Sequence, residues 1–107
     1  MRILFDTNVI LDVLLDREPF SSTAAKLFSK VETGEITGYV CATTITTLHY
    51  ISSKVIGADS AIEEINKLLM LFEVAPVNRA VLDAALTSGF KDFEDAVVHE
   101  SGVYKET

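Results

Sequence analysis

Residues 2–15 read RILFDTNVILDVLL, and the order of residue types in this stretch decides the fold class. It opens with a short apolar run, Ile3 to Phe5, of the length and composition typical of a buried strand. Polar residues follow, and then an apolar segment from Val9 to Leu15. This order predicts a strand that ends in a polar turn and leads into helical structure, which is the start of a strand–helix–strand unit.

The same order occurs three times along the chain. Further strands are predicted at residues 36–41 and 74–77, and helices follow each of them. The helix ends are predicted from capping residues and glycines: Ser21 or Ser22 to Gly34, Thr44 to Gly57, a capping box of Ser60 and Glu63, Asn78 to Gly89, and Asp92 to Gly102. Strands separated by helices cannot pair as hairpins, so we predict an α/β fold of three layers with a parallel sheet between helices.

Composition and charge limit the classes of protein to which the chain can belong. The chain has 107 residues, 49% of them hydrophobic, which is enough for one packed domain. The 9 basic and 16 acidic residues give 9 − 16 = −7, so bulk positive charge cannot hold a phosphate backbone. The single cysteine, Cys41, permits no internal disulfide and does not indicate a zinc site. No apolar run approaches the roughly 18–20 residues that span a bilayer, so we expect a cytoplasmic protein without a membrane partner.

Acidic and amide side chains follow the first predicted strand and begin the last predicted helix. Asp6 and Asn8 follow the first strand, and the spacing of Asp92 and Asp95 puts both carboxylates on one helix face. Parallel α/β sheets bind ligands at the carboxyl ends of their strands. If the last helix faces that edge, three carboxylates converge there, and Mg²⁺ or Mn²⁺ with oxygen ligands would relieve their repulsion. Such a site can support metal-assisted hydrolysis of a phosphodiester.

Two other interpretations of these residues stay open. Asp6, Asn8 and Asp92 stand at helix starts, where such side chains commonly cap backbone N–H groups without any chemistry. Phosphohydrolases of the haloacid-dehalogenase type use an aspartate after a strand as a covalent nucleophile, but they carry a DxD pair and position 8 here is Asn8. The chain has no Gly-rich phosphate loop, GxSxG elbow or HExxH motif, which excludes P-loop proteins, serine hydrolases and zincins.

The chain contains RILFDTNVILDVLL at 2–15, CATTITTLHYI at 41–51 and DFEDAV at 92–97, in an order and spacing that closely resemble the PIN domain family of metal-dependent ribonucleases. The likeness is closest to the stand-alone bacterial members that carry DTNV and DFEDA. It extends across nearly the whole chain and implies a single PIN-like domain over residues 1–107.

The resemblance implies an endoribonuclease that holds Mg²⁺ or Mn²⁺ and cuts single-stranded RNA. Asp6 matches the first acid of the family and Asp95 the third, which implies a catalytic and metal-binding role for both, with Asp92 as a further residue at the metal. Asn8 matches the polar position beside the first acid, and Thr47 could orient water or a phosphate oxygen. Many members are toxins of the VapC type, which implies an antitoxin protein as a partner.

The chain departs from the family pattern at two places. Thr47 stands where many members carry a glutamate, and the family's further strand, with a motif like TRNxxDF, would begin where the chain reads Tyr104-Lys105-Glu106-Thr107. Either the sequence is a piece of a longer protein or a partner completes the sheet. We expect a neighbouring copy to cover the first strand at residues 2–5, and therefore a homo-oligomer.

The missing acids predict weak metal binding and slow or absent RNA cleavage by the chain as it stands. A non-catalytic PIN-like interaction module that has lost metal binding is the alternative function.

Overall fold

The computed structural model describes residues 1–106, in which strands and helices alternate. In chain order the elements are β1 Arg2–Leu4, α1 Thr7–Leu14, α2 Ser21–Glu32, β2 Thr37–Cys41, α3 Ala42–Ile56, α4 Ala58–Leu71, β3 Glu73–Ala75, α5 Arg79–Leu86 and α6 Phe93–Glu106. A search of these residues for a helix long and apolar enough to cross a membrane finds none.

The strands form one parallel sheet in the order β1-β2-β3. Ile3 of β1 is aligned with Gly38 of β2, and Val40 of β2 is aligned with Val74 of β3. β2 is the central strand, and all of its residues after Thr37 are buried. Because helices connect each strand to the next, the predicted α/β class with a parallel sheet is confirmed.

The two faces of β2 contact different helices, since successive strand residues point to opposite faces of a sheet. Gly38 lies against Phe72, which follows α4, and Val31 of α2. Its neighbour Tyr39 faces α6, where Nζ of Lys105 lies 5.8 Å from the centre of the tyrosine ring. The sheet therefore lies between two sets of helices, as the predicted three layers require.

Three phenylalanine rings form the centre of the main core. Phe5 lies 5.9 Å from Phe28 and 5.0 Å from Phe72 between ring centres, and Phe28 lies 5.2 Å from Phe72. All three pairs pack edge to face, the arrangement that aromatic quadrupoles favour. A smaller cluster between α5 and α6 consists of buried Val81, Ala85, Ala96 and Val97. The first core joins β1 to α2 and α4, while the second holds the last two helices together.

Gly38 has no side chain because the Phe72 ring occupies the space beside it. A methyl group at position 38 would lie 2.7 Å from Cε2 of Phe72 and 3.1 Å from Cγ2 of Val31. Phe72 is 4% exposed and is packed against two other rings, so it has little room to move. The glycine allows the ring to lie directly on the central strand.

Several predicted helix ends are confirmed. Oδ1 of Asn78 accepts a hydrogen bond from the backbone N–H of Val81 at 3.0 Å, so this residue caps α5 as predicted. Gly34 and Gly57 follow α2 and α3 with φ angles of 81° and 89°, the left-handed region that glycine adopts readily.

Two predicted caps are wrong. α4 begins at Ala58, directly after Gly57, so Ser60 lies inside the helix and forms no capping box with Glu63. α2 begins at Ser21 itself, whose Oγ donates to Oε1 of Glu18 at 2.7 Å instead of accepting from the helix backbone. In both places the preceding turn begins the helix earlier than the capping signal indicates.

Gly102 does not end the last helix, because α6 continues through Glu106. A methyl group at this glycine would lie 2.8 Å from Cδ2 of Leu4. The residue thus allows α6 to pack closely on β1. Tyr104 to Glu106, where the family's further strand would begin, are helical, and Thr107 lies outside the described residues.

β1 is an edge strand in the sheet formed by residues 1–106. The backbone N–H of Phe5 donates to the Tyr39 carbonyl at 2.8 Å, and that of Thr37 donates to the Met1 carbonyl at 2.9 Å. The odd-numbered residues of β1 therefore bond to β2, and the backbone groups of Arg2 and Leu4 point away from the sheet. The predicted unpaired edge is present in the described part of the chain.

We expect Gly38→Ala to lower the free energy of unfolding by about 1–3 kcal/mol, because the new methyl group overpacks a buried site against Phe72. Chemical denaturation measures this loss. Combining Gly38→Ala with Phe72→Leu should cost less than the sum of the two single changes, because the smaller side chain makes room for the methyl group.

Gly102→Ala is the matched control. Its methyl group meets only the end of the half-buried Leu4 side chain, which can turn away, so we expect a smaller loss than at Gly38. Equal losses at the two glycines, or strict additivity with Phe72→Leu, would show that the ring contact does not limit position 38.

Candidate functional site

Two helices begin at the carboxyl ends of neighbouring strands. α1 begins at Thr7, shortly after β1, and α3 begins at Ala42, the residue after Cys41 of β2. Because β1 and β2 are parallel, both helix starts lie at the same edge of the sheet. This is the edge at which the sequence predicts the functional site.

Asp6 stands at this edge with an unengaged carboxylate. The residue is exposed, its backbone is extended (φ −74°, ψ 150°), and its side chain makes no capping hydrogen bond to α1. Asn8, in the first turn of α1, is exposed too, and its side-chain amide has no hydrogen-bond partner among residues 1–106. The capping interpretation therefore does not account for Asp6, whose carboxylate is free to bind a cation from solvent.

One face of α3 links the start of α1 to the start of α6. Oγ1 of Thr7 donates to Oγ1 of Thr44 at 3.3 Å. The Thr47 hydroxyl, which has a single proton, lies 3.3 Å from the Thr43 carbonyl and 3.4 Å from Oε1 of Glu94. Thr44 and Thr47 are three residues apart, so they lie on the same side of the helix. The residue after Asp6 and the residue before Asp95 thus contact adjacent positions of one helix face.

Asp92 caps α6. Its Oδ1 accepts hydrogen bonds from the backbone N–H groups of Glu94 at 2.8 Å and Asp95 at 3.2 Å, while its carbonyl accepts from Ala96 at 3.1 Å. For this residue the capping interpretation is correct. One carboxylate oxygen of Asp92 is engaged by the helix, and Oδ2 is not.

Asp95 and Glu94 are exposed in the first turn of α6. The Asp95 carboxylate has no hydrogen bond or ion pair among the residues that the structure describes. Glu94 was not selected from the sequence, in which Thr47 was interpreted as the loss of an acid and as a residue that could orient water or a phosphate oxygen. Glu94 lies beside Thr47. A carboxylate is therefore close to position 47, where many members of the family that the sequence resembles carry a glutamate. The run of acids at 92–95 was visible, but no sequence pattern pairs position 94 with position 47.

The chemistry of these donors fits a hard divalent cation. Asp6, Glu94 and Asp95 offer only oxygen atoms, and all three are exposed to water. Their arrangement is open, because within residues 1–106 no three aspartate, glutamate, histidine or cysteine side chains lie together closely enough to hold a metal ion. Carboxylates without a counter-ion repel one another, and a cation would have to draw them together.

Comparison with known proteins identifies one family. A family model for the PIN domain matches residues 2–106. No curated protein and no solved structure matches the chain.

The capping bond of Asp92 gives a prediction that separates helix stability from charge. We expect Asp92→Ala to lower the free energy of unfolding by about 1 kcal/mol, the usual cost of losing an N-cap, and Asp92→Asn to leave it nearly unchanged because asparagine caps as well as aspartate. Thermal or chemical denaturation measures both.

Asn78→Ala is the matched control for this pair, since Asn78 caps α5 through the same kind of hydrogen bond. It should cost about as much as Asp92→Ala. A large loss in Asp92→Asn would mean that the negative charge, and not the hydrogen bond, stabilises the start of α6.

Proposed function

The chain belongs to the PIN domain family, whose members are generally metal-dependent nucleases, and on this premise we propose that it cleaves single-stranded RNA with Mg²⁺ or Mn²⁺. One observation carries the proposal. The Asp6 carboxylate is exposed and unengaged at the carboxyl edge of the sheet, where the acidic start of α6 reaches the same face of α3. A capping aspartate would have been bonded to its helix, as Asp92 is.

Each residue has a defined part in this proposal. Asp6 and Asp95 would hold the cation, and Asp92 would contribute through Oδ2 while its Oδ1 keeps capping α6. The Thr47 hydroxyl lies beside the Glu94 carboxylate, and it and the Asn8 amide can orient a water molecule or a phosphate oxygen. The bound cation supplies a more acidic water and stabilises charge on the phosphate during hydrolysis of the phosphodiester.

The open arrangement of the acids supports weak binding of the cation. Gathering exposed carboxylates costs free energy that a preformed site would not need, and Thr47 contributes no charge. The net charge of −7 also opposes the approach of RNA. We therefore propose an activity that is slow, and that is faster in Mn²⁺ than in Mg²⁺ because Mn²⁺ gives up bound water more readily.

A non-catalytic PIN-like module is the second candidate function. The observation that favours it is the absence, within residues 1–106, of any three metal-ligand side chains in one cluster. In that case the exposed acids would serve a protein partner, such as an antitoxin, instead of an ion.

We expect purified protein to cut labelled single-stranded RNA slowly in Mn²⁺, with less cleavage in Mg²⁺ and none in EDTA. Asp6→Asn and Asp95→Asn should each reduce the Mn²⁺-dependent rate at least about tenfold, a loss of roughly 1.4 kcal/mol of transition-state stabilisation. Gel analysis of the RNA products gives the rates.

Asp83→Asn on α5 is the matched control, because it removes an exposed carboxylate whose ion pair among the described residues is with Arg79, at 3.6 Å. It should keep the full rate. Cleavage that survives Asp6→Asn and Asp95→Asn, or that persists in EDTA, would remove this site from the reaction. Failure of calorimetry to detect Mn²⁺ binding, together with no cleavage, would favour the non-catalytic module.

We also propose that a second copy of the chain pairs with the β1 edge. The outward N–H groups of Arg2 and Leu4 are the donors that such pairing would use. We expect a dimer by light scattering. Arg2→Pro should dissociate it without unfolding the protein, because the N–H that proline lacks points away from β2. A monomeric wild-type protein at high concentration would contradict this proposal.

A further inference from the structure

A cleft lies beside Asn8, on the side of α1 that leads to α2. Its volume is about 440 Å³, and its lining residues are Asn8, Asp12, Arg17, Glu18 and Phe20. This volume falls within the roughly 300–1,000 Å³ typical of sites for small organic groups. Asn8 belongs both to this cleft and to the candidate site, so the cleft begins two residues from Asp6.

Phe20 forms an aromatic wall of the cleft that the fold leaves uncovered. Its side chain is 63% exposed, although exposed phenylalanine is costly in water. Its backbone is held in place, because its N–H donates to the Arg17 carbonyl at 3.2 Å and its own carbonyl accepts from Ala24 at 3.1 Å. The ring is thus presented to solvent from a fixed turn at the start of α2.

Arg17 does not make the cleft a phosphate site. Its Nε and Nη2 lie 3.0 Å and 2.9 Å from Oδ1 of Asp12, and Nη2 also donates to the Asn8 carbonyl at 3.1 Å. The charge of the guanidinium is therefore balanced by Asp12, and Nε and Nη2 contact two acceptors, whereas the two N–H groups of Nη1 are not used in these contacts. With Glu18 also present, the cleft has no surplus positive charge to attract an anion.

Glu18 supplies a hydrogen-bond acceptor to the cleft. Oε1 of Glu18 accepts from Ser21 at 2.7 Å, and Oε2 of Glu18 has no hydrogen-bond partner within residues 1–106. The Asn8 amide adds an acceptor and a donor. An uncharged ligand with a flat face for Phe20 and N–H groups for Glu18 satisfies both walls of the cleft.

We propose that this cleft binds an unpaired nucleobase that carries an exocyclic amino group, such as cytosine. The base stacks on Phe20 and donates its amino N–H to Glu18, as carboxylates accept from cytosine N4 in nucleic-acid recognition. The inference rests on the proposed function, because the nucleotide next to the base would then lie at Asn8 and Asp6. Base recognition also adds affinity for RNA that the acidic net charge does not supply.

Equilibrium binding tests the proposal without cleavage. Short labelled single strands of oligocytidylate and oligouridylate are titrated with protein in EDTA, and fluorescence anisotropy gives Kd for each. Cytosine and uracil have the same size, but only cytosine has the amino group. We expect oligocytidylate to bind more tightly, and Phe20→Ala to weaken its binding about tenfold, within the range known for base stacking on aromatic side chains.

Two substitutions test the contributions of Phe20 and Glu18 separately. Phe20→Trp keeps an aromatic face and should keep the affinity. Glu18→Gln keeps the size and the acceptor for Ser21 but adds a donor, so it should bring the two oligonucleotides to nearly equal Kd.

Tyr50→Ala is the matched control, because Tyr50 is an aromatic residue of similar exposure, 61%, on α3 and outside the cleft. It should change neither Kd. An equal effect of Tyr50→Ala and Phe20→Ala, or equal Kd values for the two oligonucleotides with wild-type protein, would overturn the proposal. RNA cleavage that depends on Asp6 but not on Phe20 would leave the nuclease function in place and remove the base site. Cytosine-selective binding without any cleavage would keep the base site and contradict the nuclease function.

Discussion

The contact between Gly38 and the Phe72 ring is the constraint on which the remaining packing depends. The ring follows α4 directly, so its seat on β2 fixes where α4 ends against the sheet. Its edge-to-face contacts with Phe5 and Phe28 then bring β1 and α2 to the same centre. A side chain at position 38 would push the Phe72 ring, and with it the end of α4, away from β2.

The candidate site depends on the same arrangement through α3. This helix begins at the end of the central strand, and its threonine face contacts α1 through Thr7 and α6 through Glu94. The hydroxyl groups position the two acidic segments without neutralising them. A scaffold is thus formed at the edge of the sheet, while the carboxylates remain exposed to water and form no three-ligand cluster within residues 1–106. Stability in the absence of an ion and tight binding of an ion are opposing demands on such a site.

The sequence predicted the elements that follow from short-range rules. The apolar runs gave the three strands, the helices between them required parallel pairing, and Asn78 capped α5 as expected. The predicted capping box at Ser60 was wrong because α4 begins earlier, directly after Gly57. The prediction that Gly102 ends the last helix was wrong because this glycine instead makes room for Leu4 of β1. Both errors come from contacts or turns that residue type alone does not encode.

For the candidate site, too, the sequence predicted residues with a local signal and missed those that depend on contacts between distant parts of the chain. Asp6, Asp92 and Asp95 could be selected from their place after a strand or at a helix start, whereas Glu94 and the cleft at Phe20 could not. Glu94 meets a residue 47 positions away, and no local pattern signals that pairing. The cleft forms because a bonded turn folds Phe20 back toward α1, and its lining comes from both sides of that turn.

Gly57 also determines where the length of the chain can change. Because it is the one residue between α3 and α4, an insertion there would change the turn that sets the position of α4 relative to α3. Ile65 and Leu68 of α4 are buried in the core, so displacement of this helix would expose them to water. The segments on either side of α2 and α5 have no such restriction, since several residues separate those helices from their neighbours. Relatives of this chain should therefore differ in length at those segments and keep the α3–α4 junction at one residue.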